Sequence, residues 1–217
     1  MKYRLVGSEM CIRDRNGLIY DGKGGRPFKA DIAILEEKIV SVGSIKGESK
    51  KTIDASGRIV TPGFVDIHTH YDGQVTWDPY LRPSTYHGVT TVVMGNCGVG
   101  FSPCKPDQRD WLIGLMEGVE DIPGTALHEG IDWEWETFPE YLDALEKKPL
   151  AIDVGTQIPH GAVRAYVMGE RGINHEEATE EEIKKMKQIV KEAIEAGAYG
   201  FSTSRTEKHN DVNGNLT

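Results

Sequence analysis

The rhythm of apolar residues changes at Pro62-Gly63. After this point, short apolar runs alternate with stretches of helical periodicity, which is the pattern of parallel strands joined by helices. Four strands are predicted, over residues 64–68, 89–94, 150–154 and 198–202. Before this point, short apolar runs are separated by turn residues, which predicts a small β-rich module. We therefore expect a β-rich module over residues 1–63 and an α/β domain over residues 64–217.

The helix that precedes the fourth predicted strand has the clearest boundaries. Thr179 is predicted as its N-cap, with Glu182 three residues on completing a capping box. Gly197 is placed to end the helix. An apolar stripe at helical spacing lies between them, made of Ile183, Met186, Ile189, Val190, Ala193 and Ile194.

Polar residues lie at or just after the C-terminal ends of all four predicted strands: His68 and His70, then Cys97, then Gln157 and His160, then Ser204 and Arg205. This clustering is typical of a TIM-like (β/α)8 barrel, whose reaction site is built on that face. A doubly wound sheet would give the same pattern. Because such a barrel typically needs about 250 residues, we expect residues 64–217 to form about half of one.

His68 and His70 are predicted metal ligands. Residues i and i+2 of an extended strand point the same way, so both imidazoles face one side. Asp66 and Asp72 lie nearby as candidate hydrogen-bond partners of these ligands. Structural or exposed histidines are the alternative, and the position at a strand end favours metal binding.

Cys97 is a third candidate ligand, because it follows a Val-rich strand and has glycines on both sides. A thiolate is a strong zinc ligand, and a metal ion would lower its pKa. A buried cysteine that acts as a small hydrophobe is the alternative. Cys104 and Cys11 are expected to be structural or incidental.

Four further residues are candidates for substrate binding, although loop packing accounts for them nearly as well. They follow the third and fourth predicted strands and are His160, Arg164, Ser204 and Arg205. An arginine suits recognition of a carboxylate because its guanidinium donates two parallel hydrogen bonds. His209 has no supporting context.

The composition limits the kinds of partner and the location that the sequence predicts. Acidic residues outnumber basic ones, 34 to 25, for a net charge of −9, which argues against sequence-independent binding to nucleic acid. No apolar run reaches the roughly 18 residues of a membrane span, and no signal peptide is evident. Three scattered cysteines do not form a disulfide framework, so a reducing, cytoplasmic location is expected.

Several stretches resemble a known family. Residues 61–70 resemble the first-strand motif of the amidohydrolase superfamily, and three further stretches look like its N-acyl-D-amino-acid deacylase (D-aminoacylase) branch: 88–98, 116–124 and 200–205. The resemblance runs from about Asn16 to the end. It implies one or two Zn²⁺ ions held by His68, His70 and Cys97 together with two later histidines.

The resemblance also implies the reaction. Such an enzyme hydrolyses the amide of a small N-acyl amino acid and releases a D-amino acid and a carboxylate. Its general base is a late aspartate, expected downstream of Thr217, so no catalytic residue is assigned within this chain. We therefore expect the 217-residue polypeptide to show no turnover alone.

The N-terminus departs from the family's pattern. Residues 3–15 resemble a translated sequencing adapter rather than an apolar first strand. Residues 1–15 are therefore expected to be artefactual, Cys11 included.

Two alternative functions stay open. The first is a cyclic amidohydrolase acting on a hydantoin, dihydropyrimidine or dihydroorotate, for which a lysine at a strand end would be the sign. The second is a non-catalytic binding protein on the same fold, in which the histidines are structural.

Overall fold

The computed structural model of the protein describes residues 10–205 and divides the chain into two units, Met1–Gly63 and Phe64–Thr217. In the first unit, one sheet contains five strands in the order β3-β2-β1-β4, with β5 paired to β1. β1 is antiparallel to β2, which is antiparallel to β3, whereas β4 and β5 run parallel to β1. The strands are β1 Met10–Ile19, β2 Phe28–Leu35, β3 Lys38–Gly43, β4 Ser49–Asp54 and β5 Ile59–Val60.

A bulge interrupts the pairing of β1 with β2 between Asp14 and Gly17. Gly17 lies against Val60 so closely that a Cβ would be 2.6 Å from a Val60 methyl carbon. Asp31 secures the bulge, because its carboxylate accepts from the Asn16 N–H at 3.0 Å and from Arg13 at 2.8 Å. Residues 10–15 belong to the segment that departs from the family's pattern, and they form part of β1, which is paired with its neighbouring strands. Residues 1–9 lie outside the described part of the chain.

In the second unit, three strands form a parallel sheet in the order β6-β7-β8, and two short strands, β9 and β10, form a separate parallel pair. Between residues 10 and 205 these strands do not close into a barrel. The α/β class is confirmed. The strands are β6 Phe64–Asp66, β7 Val89–Met94, β8 Asp153–Thr156, β9 Ile158–Pro159 and β10 Phe201–Ser202.

Six α-helices accompany these strands in the described part of the second unit: α1 Arg109–Glu120, α2 Gly124–Gly130, α3 Phe138–Glu146, α4 His160–Met168, α5 Glu170–Ile173 and α6 Glu180–Ala196. The core contains Met94 of β7, Met116 of α1 and Tyr141 of α3, each at most 2% exposed. No helix between residues 10 and 205 has the length and apolar character needed to cross a membrane.

The predicted boundaries of α6 are confirmed. Thr179 is the N-cap and forms the capping box with Glu182, and Gly197 ends the helix with φ +123°. Part of the apolar stripe packs against the core, with Ala193 fully buried, whereas Ile183 and Ile194 at the two ends of the helix are exposed.

Two predicted boundaries around β8 are wrong. The strand begins at Asp153 rather than Leu150, because Leu150 and Ala151 turn back, with the Ala151 N–H donating to the Pro79 carbonyl at 2.8 Å. The strand also ends at Thr156 rather than at residue 154. The residues that follow form β9, which pairs with β10, and His160 is the first residue of α4.

Candidate metal centre

The parallel register of β6 and β7 brings the segments that follow them to one edge of the sheet, since Asp66 pairs with Val92. Beyond β6, the His68 N–H donates to the Asp66 carboxylate at 3.2 Å. Thr69 turns inward, and its N–H and hydroxyl both donate to the Val93 carbonyl, at 3.0 and 2.8 Å. The two histidines that flank Thr69 are thereby held on the opposite side.

His68, His70 and Cys97 form one cluster. One ligand atom from each lies within 4.8 Å of the others. His68 Nε2 is 3.2 Å from Cys97 Sγ, and the two imidazole rings have centroids 5.4 Å apart. Two imidazoles and a thiol at these separations are a donor set that can converge on one metal ion.

The segment that carries Cys97 needs an unusual backbone. Gly95 has φ +73°, and a Cβ there would lie 2.0 Å from the Gln157 carbonyl oxygen, so glycine is required. Cys97 has φ +55°, a left-handed conformation that costs a non-glycine residue energy. The Gly98 N–H donates to the Ser202 hydroxyl at 3.0 Å, and that hydroxyl donates to the Gly95 carbonyl. A strained cysteine on a tightly anchored turn is typical of a functional position.

Asn96 links three strand ends beneath the cluster. Its amide nitrogen donates to the carbonyls of Thr69 and Val93, at 3.1 and 2.9 Å. Its amide oxygen accepts from the Gln157 side chain at 2.8 Å. The segments after β6, β7 and β8 are therefore tied together directly below the candidate ligands.

Glu120, at the end of α1, lies beside the cluster, with Oε1 3.2 Å from His70 Nε2. Burial raises the pKa of Glu120, against the opposing effect of His68. Burial also raises the pKa of the Cys97 thiol, and the Glu120 charge adds to that rise. Glu120 is not among the residues predicted from the sequence, although it lies in the 116–124 stretch that carries the resemblance. An acidic residue at a helix C-terminus is the signal that points to it.

Asp72 is 2% exposed, and burial raises its pKa to about 7. Backbone hydrogen bonds from Asp72 itself and Gly95 act in the opposite direction. The Tyr141 hydroxyl donates to the Asp72 carbonyl at 2.9 Å. Asp72 therefore connects the chain just after His70 to the turn that carries Cys97.

The four candidate substrate residues line one cavity of about 670 Å³ together with Cys97: His160, Arg164, Ser204 and Arg205. Burial lowers the pKa of His160, and the neighbouring charges of Arg164, Arg205 and His175 lower it further. Arg164 donates to the backbone carbonyls of Gly172, at 3.1 Å, and Glu176. The Arg164 guanidinium therefore holds the chain that follows α4. His209 lies outside the described residues.

The chemistry of the donors fits zinc. Imidazole and thiolate are its common ligands in proteins, and soft thiolate disfavours magnesium and calcium. No lysine occupies a strand end from β6 to β10 in the described part of the chain. The strand-end lysine expected of a cyclic amidohydrolase thus has no counterpart there.

Together, these features define a class: an α/β protein with a histidine–cysteine cluster that could hold a metal ion, at the C-terminal edge of a parallel sheet. Residues 51–214 match the Amidohydrolase family. The chain belongs to that family.

Two named relatives are similar to this chain over most of its length. D-aminoacylase of Alcaligenes xylosoxydans xylosoxydans is 34% identical over 188 residues, covering 86% of this chain and 36% of the relative. N-acyl-D-aspartate deacylase of the same organism is 33% identical over 186 residues, covering 85% and 34%. The chain thus spans about a third of the length of these relatives.

A solved structure gives the same result. N-acyl-D-glutamate deacylase of Bordetella bronchiseptica, complexed with zinc and a phosphonate inhibitor that mimics the tetrahedral intermediate, superimposes with a TM-score of 0.76 at 31% identity. The match covers 90% of this chain and 38% of that one. The predicted resemblance to the deacylase branch is confirmed.

Proposed function

We propose that the protein is a metal-dependent hydrolase of amide bonds outside peptides, with N-acyl-D-amino acids as its substrate class. The observation that carries the proposal is the convergence of His68, His70 and Cys97 within 4.8 Å. The names of the relatives support the substrate class, since they are deacylases of N-acyl-D-amino acids at more than 30% identity.

His68, His70 and Cys97 would hold the metal, and Zn²⁺, as one or two ions, fits their donor atoms. When bound, the metal polarises the substrate carbonyl and makes its bound water more acidic. Thr69 and Asn96 orient the ligands through the backbone. We assign no general base among residues 10–205.

The cavity beside Cys97 is the proposed binding site for the small substrate. Arg164 is committed to two backbone carbonyls, which favours Arg205 as the partner of the substrate carboxylate. Ser204 and His160 line the same space. An arginine suits this role because its charge persists at every physiological pH.

Metal analysis tests the centre. The purified 217-residue chain is loaded with zinc, dialysed and compared with His68→Ala, His70→Ala and Cys97→Ser; each should lose zinc affinity by more than about tenfold. His87→Ala is the matched control, because His87 is an exposed histidine outside the cluster. Equal zinc content in all five proteins would refute the ligand assignment and favour the non-catalytic alternative.

Hydrolysis tests the substrate class. Because the chain spans about a third of its relatives' length, the assay uses a chain extended to that length, with residues 1–217 unchanged. We expect release of the amino acid from N-acetyl-D-amino acids and little from the L-enantiomers or from a hydantoin. Preference for the hydantoin would support the cyclic alternative instead.

A further inference from the structure

The cavity beside Cys97 has an apolar wall to which the proposed function assigns no role. Trp111 and Leu115 form this wall, and they lie four residues apart on α1, which places them on the same face of the helix. Leu115 is 2% exposed, whereas Trp111 is half-buried. The wall therefore presents an indole ring and a leucine side chain to the interior of the cavity.

The turn that carries Cys97 lies between the apolar wall and the polar residues of the same cavity. A Cβ at Gly98 would be 3.5 Å from the backbone nitrogen of Ser204. The Gly98 carbonyl accepts from the Gly161 N–H at 2.8 Å, and a Cβ at Gly161 would be 3.4 Å from Leu115 Cδ2. The turn is thus contacted directly by the segment of Ser204 and, through Gly161, by α1.

The charges around the cavity suit a substrate with one carboxylate. No acidic side chain lines it among residues 10–205, and the lining residues that carry a permanent charge there are Arg164 and Arg205. Arg164 donates to the backbone carbonyls of Gly172 and Glu176, which leaves Arg205 for the substrate carboxylate. Because Arg205 is next to Ser204, the amino-acid half of the substrate is assigned to the polar side. The acyl half extends from the scissile amide in the other direction, toward α1.

We propose that the apolar wall formed by Trp111 and Leu115 binds the acyl group, so that the enzyme prefers acyl chains longer than acetyl. This inference rests on the proposed function, because it divides the amide substrate between two sides of the proposed binding site. Burial of apolar surface is favourable in proportion to its area, so each added methylene group strengthens binding until the wall is covered. The cavity of about 670 Å³ has the size of a typical small-molecule site.

The test uses a chain extended to the length of its relatives, because residues 1–217 span only about a third of that length. Its substrates are N-acetyl-, N-butanoyl- and N-hexanoyl-D-alanine, so the acyl chain grows while the amino acid stays the same. We expect kcat/KM to rise about 10-fold or more from acetyl to hexanoyl. In Trp111→Ala the rise should shrink to about threefold or less, with kcat/KM for the acetyl substrate within about threefold of the unmodified enzyme.

Trp77→Ala is the matched control. Trp77 belongs to the same unit, is 40% exposed and does not line the cavity, so this variant should keep the preference for the longer chain. Trp111→Phe retains an aromatic ring and should recover most of the preference. A folding defect would lower kcat/KM by the same factor for every acyl length, whereas loss of the wall lowers it most for hexanoyl.

Tryptophan fluorescence provides a readout that does not require hydrolysis. Titration of the metal-free extended chain with N-hexanoyl-D-alanine should change the emission, because the acyl chain displaces water beside the Trp111 indole. Trp111→Phe should abolish this change. No change in the unmodified enzyme, or the same change in Trp111→Phe, would contradict contact between the acyl group and Trp111.

The outcomes separate this inference from the proposed function. If the extended chain hydrolyses N-acetyl-D-amino acids without preferring longer acyl groups, or if Trp111→Ala keeps that preference, the inference is overturned and the proposed function stands. If Trp111→Ala instead removes a preference for N-acetyl-D-leucine over N-acetyl-D-alanine, the wall binds the amino-acid side chain, and the assignment to the acyl group is overturned. If none of these amides is hydrolysed, the proposed substrate class fails and the inference fails with it.

Discussion

Asn96 shows how one buried polar side chain can position the proposed metal ligands through their backbone. Its amide joins the backbone after β6 to the side chain after β8, while the next residue is Cys97. An amide suits this place because it donates and accepts at once. The His-bearing and Cys-bearing segments are thus held in one arrangement before any metal binds.

Replacement of Asn96 by alanine should therefore affect stability as well as metal binding. The carbonyls of Thr69 and Val93 would lose a donor and the Gln157 amide an acceptor, so we expect the free energy of unfolding to fall by about 1–3 kcal/mol. Urea unfolding followed by tryptophan fluorescence measures this, since all four tryptophans lie in the second unit.

Asn174→Ala is the control for this substitution, because Asn174 is exposed. Its effect should stay within about 0.5 kcal/mol. Equal stability of Asn96→Ala and the unmodified chain would show that the amide does not brace the centre.

Among the elements, β1 and β2 are joined by a charged pair at the bulge. Hydrogen bonding with Arg13 lowers the pKa of Asp31 below its ordinary value of 3.8, against the opposing effect of burial. A carboxyl group with a lowered pKa stabilises the fold above the pKa of the unfolded chain. That stabilisation is lost as the pH falls through the folded-state pKa.

Asp31→Asn should consequently lower the free energy of unfolding at pH 7. The difference in this free energy between the variant and the unmodified chain should become smaller below pH 3.8. Urea unfolding followed by far-ultraviolet circular dichroism at several pH values measures the difference. Asp21→Asn, at an exposed turn of the same unit, should show no such narrowing. If the difference in the free energy of unfolding stays constant down to pH 3, the charged pair is not its source.

The elements also differ in how well the sequence predicts them. The ends of α6 were predictable because capping is local: Thr179, Glu182 and Gly197 lie within the helix or next to it. The start of β8 and the presence of β9 were not, because their backbone partners, Pro79 and Gly200, lie far away along the chain. A strand ends where its neighbours stop pairing with it, and the sequence of one segment does not contain that information.

In the whole molecule, the candidate site residues at strand ends were predictable from the sequence. The residue that a helix contributes was not. His68, His70 and Cys97 follow predicted strands, so the parallel sheet brings them to one edge. Glu120 approaches from α1, 50 positions after His70. The side-chain bond from Gln157 to Asn96 spans 61 positions. Both depend on how α1 and β8 pack against β7.

The arrangement also explains how the fold could order the proposed metal ligands before a metal binds. The ligands come from adjacent strands of a parallel sheet, and buried hydrogen bonds through Thr69 and Asn96 hold their backbones. Little ordering remains to be done when a metal binds, which favours affinity. The proposed function therefore depends on direct coordination of the metal by the three clustered side chains.

Cobalt titration of the metal-free chain tests that claim most directly, because a thiolate bound to Co²⁺ gives a near-ultraviolet charge-transfer band that no other ligand in the cluster produces. We expect this band to grow to a fixed cobalt-to-protein ratio in the unmodified chain and in Cys104→Ser. The band should be absent in Cys97→Ser and greatly weakened in His68→Ala. An unmodified chain that binds cobalt without this band, or a band that persists in Cys97→Ser, would contradict the assignment of the metal centre.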